Sequence, residues 1–312
     1  MSLITIVAIG GNALVDPKRP PTVENQNRIT EMAVKPIADL IEKGEQILLV
    51  HGNGPQVGFL ALRSTLARDK IHEVPLDALV ADTQGSLGYM IERCLRNELQ
   101  KRRIHKEVVT VVTEIRVDPK DPAFQNPTKP IGIFYTEEEA RELQKTRGWT
   151  LMEDAGRGWR RVVPSPKPLE ILQIESIQTL VDAGYIVIAC GGGGIPIVRE
   201  NGIDRGIEGV IDKDLASALL GKSLGARTLF LTTGVDYIYK DFQTSHPVPL
   251  REISISELEV LEKEGQFPPG SMGPKIEGAR QFLEGGGKEV FICKPENLLE
   301  CSLGKVGTKI YG

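Results

Sequence analysis

Short β-branched runs alternate with stretches of helical periodicity along most of the chain, and this alternation is the strongest constraint on its fold. It predicts a mostly parallel sheet, because parallel strands are joined by helical crossovers. The predicted strands cover residues 3–9, 46–50, 107–113, 185–190, 228–232 and 289–293. A first apolar stripe at helical spacing, ending before Gly44, comprises Ile29, Met32, Ala33, Ile37, Leu40 and Ile41. A second, which we expect to face the sheet, comprises Leu76, Leu79, Val80, Leu87, Met90, Ile91, Leu95 and Leu99.

One stretch, from about residue 116 to 168, breaks this rhythm. It holds seven of the chain's 20 prolines, at positions 119, 122, 127, 130, 164, 166 and 168. Thr136 and Glu139 have the spacing of a capping box, which predicts a helix ending near Arg147. Trp149 and Trp159 could anchor a small packed unit there. Composition alone leaves open whether this insertion is functional or a surface excursion.

Charge and composition exclude several classes of protein. The 38 Lys and Arg residues against 42 Asp and Glu residues give a net charge of −4, so we expect no nucleic acid partner. No apolar run reaches the roughly 18 residues of a membrane helix, and the N-terminus lacks a basic leader, so we expect a soluble, cytoplasmic protein with no membrane partner. The four cysteines form no CxxC pair, so we expect buried free thiols rather than metal ligands at Cys94, Cys190, Cys293 and Cys301.

Glycine is abundant, with 33 residues, and its clusters follow predicted strands. They lie at residues 10–12, 52–54 and 191–194, and a fourth, residues 270–273, precedes a predicted helix. In open α/β sheets, ligands bind beyond the carboxyl ends of strands, where glycine lets backbone N–H groups approach an anion. The clusters therefore indicate a phosphate site, although any single one could also be only a tight turn.

The standard nucleotide-binding fingerprints are absent. Gly221-Lys222-Ser223 resembles the end of a Walker loop, but Ala216 stands where its first glycine belongs. Gly52-Asn53-Gly54 begins a dinucleotide motif, but Val57 replaces its third glycine, which makes a nicotinamide dehydrogenase the weakest alternative. The sequence also contains no HExxH motif, and its GxSxG match at residues 221–225 follows a helix-like run rather than a strand.

Lysines beside glycine or proline are the remaining candidates for chemistry. They are Lys213, between Asp212 and Asp214, then Lys275 after the fourth glycine cluster, and Lys129 inside the insertion. Phosphoryl transfer needs positioning and neutralisation of charge more than covalent help from the protein, so lysines and backbone donors suffice. A single lysine of this kind could equally be a solvated surface residue.

Six segments of the chain resemble the amino acid kinase family. They are AIGGNAL at 8–14, LVHGNGPQVG at 49–58, TKPIGIFY at 128–135, GWRRVVPSPKP at 158–168, ACGGGGIPIV at 189–198 with VIDKDLASALL at 210–220, and GSMGPKIE at 270–277. The first and fifth also resemble kinases of acetylglutamate, aspartate and uridylate. The second, fourth and sixth resemble the members that phosphorylate carbamate.

This resemblance implies an α/β fold, an open αβα sandwich with a mostly parallel central sheet plus a small protruding subdomain at about 116–168. It implies one domain over 1–312, with an acceptor lobe at about 1–184 and a nucleotide lobe at about 185–312. It also implies a homodimer that transfers phosphate between ATP and carbamate, giving ADP and carbamoyl phosphate, with Mg²⁺ carried on the nucleotide and no metal site of the protein's own.

The resemblance further implies roles for individual residues. The carbamoyl end would be surrounded by Gly10, Gly11, Asn12, Gly52, Asn53 and Gly54. The nucleotide would contact Lys213, Thr233, Asp236, Met272 and Lys275, although residues 233–236 depart from the usual family pattern. The catalytic groups would be Lys129, Lys213, Asp214 and Lys275, with Asp214 orienting the lysines.

Substrate chemistry agrees with the lack of a histidine or glutamate in the position of a general base. Carbamate already carries an anionic oxygen, so its attack on a phosphoryl group needs no general base, and we expect His51 to shape its loop rather than to catalyse. Two alternatives stay open: a kinase of another small acid within the same family, and a nucleotide-binding regulator without turnover.

Overall fold

The computed structural model of the chain describes residues 3–15, 19–154, 156–242, 244, 246–267 and 272–312. Gly270 and Ser271 of the fourth glycine cluster lie outside these residues. Within them the chain forms seventeen strands and ten α-helices.

The strands, in chain order, are β1 Ile4–Ile9, β2 Gln46–His51, β3 Val108–Thr110, β4 Glu114–Val117, β5 Lys129–Tyr135, β6 Leu151–Glu153, β7 Trp159–Val163, β8 Pro168–Ile171, β9 Ile186–Ile188, β10 Ile195–Glu200, β11 Ile203–Gly206, β12 Thr228–Thr232, β13 Ile238–Lys240, β14 Val248–Leu250, β15 Glu252–Ser254, β16 Glu289–Cys293 and β17 Thr308–Tyr311. The helices are α1 Val23–Ala33, α2 Lys35–Glu42, α3 Gly54–Ala67, α4 Leu76–Lys101, α5 Glu137–Arg147, α6 Ile174–Asp182, α7 Lys213–Leu224, α8 Ile255–Lys263, α9 Gly273–Glu284 and α10 Leu298–Ser302.

The central sheet has eight strands in the order β15-β17-β16-β12-β1-β2-β9-β3. Its six strands from β16 to β3 are mutually parallel, and they are the six that the sequence predicts. Only β17, which pairs antiparallel with β16, and its parallel neighbour β15 run the other way. The prediction of a mostly parallel sheet is therefore confirmed.

Helices cover both faces of this sheet, and alternate residues of each strand point to opposite sides. On β1, Ile6 and Ala8 pack with α6, α7, α8 and α9, whereas Val7 and Ile9 pack with α2, α4 and α10. The arrangement is an αβα sandwich with a hydrophobic core on each side. All four cysteines are buried, as expected. Within the described part of the chain, no helix combines the length and apolar character that a bilayer crossing requires.

The first predicted helical stripe is divided between two helices. The chain leaves α1 at Ala33 and starts α2 at Lys35, so Met32 is 56% exposed instead of facing the core. Pro36 lies in the first turn of α2 and has no N–H to donate to Met32, so the hydrogen-bond ladder of a single helix could not continue there. The second stripe, on α4, is buried as predicted.

The insertion is an ordered unit closed at its base. There, β4 pairs antiparallel with β8 and joins β10 and β11 in a four-stranded sheet. Beyond the base, a small sheet of order β5-β7-β6 carries α5, whose capping box of Thr136 and Glu139 and whose end at Arg147 are those predicted. The protruding subdomain expected from the resemblance is present.

Candidate active site

Three glycine clusters lie together at one edge of the central sheet. They follow β1, β2 and β9, which are neighbours in the sheet and run parallel, so their carboxyl ends meet. The three clusters therefore share one edge, and such an edge is where ligands bind in open α/β sheets.

The loops after β1 and β2 touch through their glycines. A Cβ atom on Gly52 would lie 2.8 Å from the backbone nitrogen of Gly11, and one on Gly11 would lie 3.0 Å from the backbone nitrogen of Asn53. Any side chain at either position would push the loops apart. The lysine stem of Lys213 also packs here, because a Cβ on Gly52 would come within 3.2 Å of its Cδ.

Neighbouring polar groups hold these loops in place. The Gln56 amide Nε2 donates to the Gly11 carbonyl over 3.2 Å, and the Asn53 amide Nδ2 donates to Thr83 Oγ1 over 2.8 Å. The Gly10 N–H donates to Thr232 Oγ1, 3.2 Å away at the end of β12. Asn12 is exposed, whereas Asn53 is buried. These hydrogen bonds hold the two loops in a defined conformation.

The cluster at residues 191–194 is buried and packed against the second loop. Gly192 has φ +68°, and a Cβ there would lie 2.3 Å from Asn53 Nδ2. The Gln84 amide braces the cluster, because its Nε2 donates to the Gly191 carbonyl over 2.9 Å and to the Thr113 carbonyl over 3.0 Å. This cluster therefore packs directly against the Asn53 side chain.

His51, the last residue of β2, is fully buried beside these loops. Its Nδ1 is 3.2 Å from the Gly52 carbonyl and donates to it in the neutral tautomer, while its Nε2 has no hydrogen-bond partner and faces Gly191. Burial lowers the pKa of His51 from 6.5 to about 4, against the opposing effect of that hydrogen bond. The imidazole is neutral at pH 7 and contributes no charge to the site.

An ion network lies at the start of α7. The Asp214 carboxylate accepts from Lys213 Nζ over 2.5 Å and from Lys275 Nζ over 2.7 Å. Lys213 and Lys275 are each 9% exposed and Asp214 is 3% exposed. Gly278 permits this contact between helices, because a Cβ there would lie 2.9 Å from the Asp214 carbonyl oxygen and would push α9 off α7. The fold thus brings together three predicted residues, Lys213, Asp214 and Lys275, although Lys275 is 61 positions from Asp214 in the sequence.

The pKa values in this network follow from burial and from the shared carboxylate. Burial would raise the pKa of Asp214, but the two ammonium groups outweigh it and hold that pKa well below its ordinary value. Burial dominates at Lys213 and lowers its pKa despite the attraction of Asp214. At Lys275 burial is again the largest influence, but attraction and hydrogen bonding to Asp214 leave its pKa raised. Asp214 is ionised at pH 7, and Lys213 is the lysine closer to losing its proton.

Lys129 of the insertion reaches the same place. Its Nζ forms an ion pair with the Asp212 carboxylate at the N-terminus of α7. The insertion sits tightly on α3, because a Cβ on Gly58 would lie only 2.0 Å from Gly132 Cα on β5. The insertion folds over the site, the arrangement that a role for Lys129 requires.

The residues predicted to contact the nucleotide lie after the carboxyl end of β12 and at the start of α9. The Asp236 carboxylate is held by Lys294 Nζ at 3.0 Å and by Asn297 Nδ2 at 3.2 Å. Thr233 donates its N–H to the Cys293 carbonyl over 2.9 Å. The Met272 carbonyl accepts from the Lys275 N–H over 3.0 Å. Met272 thus lies one helical turn from Lys275, whereas Asp236 forms a separate ion pair with Lys294.

Among the described residues, no group of three or more His, Cys, Asp and Glu side chains could hold an ion. The carboxylates of Asp212 and Asp214 are instead occupied by lysines. A divalent ion in this site would therefore have to bring most of its oxygen ligands with the substrate.

Sequence reasoning missed several residues that hold the site together, among them Asp212 and Gln56. Asp212 precedes Lys213 directly and is the type of residue that caps a helix, so its position before α7 was a usable signal. Gln56 gave none, because its contact with Gly11 spans 45 positions.

Comparisons with known proteins identify relatives over the whole chain. The amino acid kinase family matches residues 4–294. A carbamate kinase of Pyrococcus horikoshii is 46% identical over 308 residues, 98% of this chain and 98% of that protein. One of Clostridium perfringens is 45% identical over 309 residues, again 98% of each. A solved carbamate kinase of Giardia lamblia bound to AMP-PNP is 41% identical, with a TM-score of 0.90 over 99% of this chain and 98% of that one.

Proposed function

The chain belongs to the amino acid kinase family, and from that membership we propose that it is a carbamate kinase, a phosphotransferase that moves a phosphoryl group reversibly between ATP and carbamate. The products in the forward direction are ADP and carbamoyl phosphate. The observation that carries the proposal is the buried contact of Lys213 and Lys275 with Asp214 beside the glycine loops. Two buried ammonium groups can offset the repulsion between two anionic substrates that must come into contact.

Charge explains why such a network is needed. Carbamate and the nucleotide phosphates repel each other, and at close range in a partly dry site the repulsion amounts to several kcal/mol. Lys129, Lys213 and Lys275 against Asp212 and Asp214 leave one net positive charge among these five groups. We assign Lys213 and Lys275 to the transferring phosphoryl and nucleotide phosphates, Lys129 to the reacting oxygens, and Asp214 to orienting the lysines.

The acceptor end is assigned to the two touching glycine loops. Gly10, Gly11 and Asn12 form one loop and Gly52, Asn53 and Gly54 the other, and four of these six residues have no side chain. Backbone N–H groups would hold carbamate and the phosphoryl group there. No proton need be removed from carbamate, and this agrees with the neutral, buried state of His51.

The nucleotide is assigned to the part of the site that carries Thr233, Asp236, Met272 and Lys275. We propose that Mg²⁺ enters with ATP or ADP, since the two carboxylates at the start of α7 are already paired with lysines. When bound, the ion neutralises charge on the phosphate oxygens.

The lobe boundaries remain part of the proposal. An acceptor lobe over about 1–184, including the protruding subdomain over about 116–168, would supply the glycine loops and Lys129. A nucleotide lobe over about 185–312 would supply α7 and α9. The homodimer implied by the resemblance and the cytoplasmic location expected from the sequence also stay predictions.

The proposal is tested by incubating the purified protein with Mg-ADP and carbamoyl phosphate and measuring ATP. We expect ATP to form with carbamoyl phosphate and not with acetyl phosphate, with the Lys275→Ala variant as the catalytic control. Equal use of acetyl phosphate would indicate a kinase of broader or different acid specificity. Binding of ADP without any ATP formation would indicate a regulator and would end the enzymatic proposal.

A further inference from the structure

We propose that Asp212 is a positioning residue for the transfer reaction: it caps α7 with one carboxylate oxygen and holds Lys129 of the insertion over the site with the other. This inference deepens the proposed function and rests on it. Nothing in the family resemblance assigns Asp212 a role.

The first contact fixes Asp212 to the helix. Its Oδ1 accepts from the Asp214 N–H over 2.9 Å, the geometry of an N-cap. The cap satisfies a backbone donor that the first turn of a helix leaves unpaired. Because the residue is only 8% exposed, its carboxylate has little freedom to turn away.

The second contact reaches a different part of the chain. Asp212 Oδ2 accepts from Lys129 Nζ, and the two residues are 83 positions apart. The Lys129 side chain is 25% exposed, so the protein does not enclose it completely. An ammonium has three donors, and Asp212 is the hydrogen-bond partner that the structure gives this one. The remaining donors are available to a phosphoryl or carbamate oxygen.

The insertion meets the segment before α7 at a second point close by. In the small sheet, Lys129 pairs with Val163, the last residue of β7. The next residue, Pro164, accepts from the Val210 N–H over 2.9 Å, two positions before Asp212. Lys129 and Pro164 thus hold one end of the small sheet against residues 210–212. Movement of the insertion away from the site would break both contacts.

Electrostatics makes the Asp212 charge necessary for this arrangement. The same helix start holds Lys213 and Lys275 on Asp214, so a third ammonium brought there meets two like charges. Asp212 supplies the negative charge that offsets this repulsion at Lys129. Without it, we expect Lys129 to leave the site and the insertion to open more often.

Asp212→Asn separates the two tasks, because asparagine caps helices as well as aspartate does but lacks the charge. We expect the Tm to stay near that of the wild type and kcat to fall on the order of tenfold to a hundredfold, the scale for a displaced catalytic group. In a Lys129→Ala background the same substitution should change kcat by less than about twofold, because the two residues act as a unit. Hydrogen exchange of β5 should be faster in Asp212→Asn than in the wild type.

The matched control is Asp204→Asn, which removes another carboxylate paired with a basic side chain, here Arg199 on the β10–β11 hairpin. It should leave kcat and exchange in β5 unchanged. Wild-type kcat in Asp212→Asn would overturn the proposal, and so would an equal loss of kcat with and without Lys129. If the wild-type protein forms no ATP, the proposed function fails, and exchange in β5 still decides whether Asp212 holds the insertion.

Discussion

Asp214→Asn is the substitution whose consequences the structure defines most sharply. It keeps the size of the side chain and removes the one carboxylate that Lys213 and Lys275 share. Both ammonium groups would then be buried without a counter-charge. Removing one partner of a buried ion pair typically costs about 3–5 kcal/mol, which for a chain of this size corresponds to a fall in Tm on the order of 10 °C.

Activity should fall together with stability. Two cations lose their orientation at once, so we expect kcat to drop on the order of 10² or more, as for loss of a preorganised donor. The assay measures ATP from Mg-ADP and carbamoyl phosphate alongside thermal denaturation at pH 7. Asp39→Asn is the control, since it breaks the ion pair with Arg102 at a site where the Asp39 side chain is 37% exposed. It should leave kcat unchanged.

The pH dependence of stability provides an independent readout. Because the pKa of Asp214 is lowered in the folded protein, its stabilising contribution is complete above the unfolded value of about 3.9 and is lost as the pH falls further. The wild type should therefore lose more stability than Asp214→Asn between pH 5 and pH 3. If the variant keeps kcat within a few-fold and its Tm is unchanged, the assignment of Asp214 as the organising charge is wrong.

Three further predictions concern other parts of the site. Lys213→Ala and Lys275→Ala should each lower kcat on the order of 10² or more with unchanged circular dichroism, and near-normal turnover in both would remove them from the site. His51→Asn should retain most activity. Because the pKa of His51 is lowered from 6.5 to about 4 in the folded protein, the wild type should gain more stability than this variant as the pH rises from 4 to 6.5. Loss of a limb of the pH–activity profile near pH 6.5 in the variant would instead indicate a catalytic imidazole. Gly58→Ala should lower both Tm and kcat, because its Cβ would lie 2.0 Å from Gly132 Cα and force the insertion off α3. Gly85→Ala, at an exposed position of α4 with nothing within 4 Å, should instead stabilise the protein by up to about 1 kcal/mol, and a similar gain for Gly58→Ala would refute the close packing.

Local pattern was enough to predict the elements that build the site's platform. The six parallel strands have continuous β-branched runs because both of their faces are buried, and that burial is visible in the sequence. The capping box of α5 was visible for a different reason, because its two partners are only three residues apart in the sequence. The three glycine clusters were visible directly after three of these strands, at residues 10–12, 52–54 and 191–194.

Apolar periodicity was less informative about helix boundaries where a proline interrupts the backbone hydrogen bonds. The stripe ending before Gly44 contains Pro36, whose missing N–H divides the helix and turns Met32 outward. The apolar periodicity of the flanking residues continues across this boundary between helices, so it does not indicate the break, although the proline itself is visible in the sequence.

The sequence by itself therefore predicted a mostly parallel sheet and, through the family resemblance, the αβα sandwich and the lysines proposed for the site. Only the tertiary structure decided that Lys129 meets Asp212, that Lys213 and Lys275 share Asp214, and that Gly58 and Gly132 seat the insertion on α3. Strand and helix signals arise from neighbours within a few positions. Contacts such as Lys129 with Asp212 join residues 83 positions apart, and only the packing of a folded sheet, helix and insertion brings them within hydrogen-bond distance.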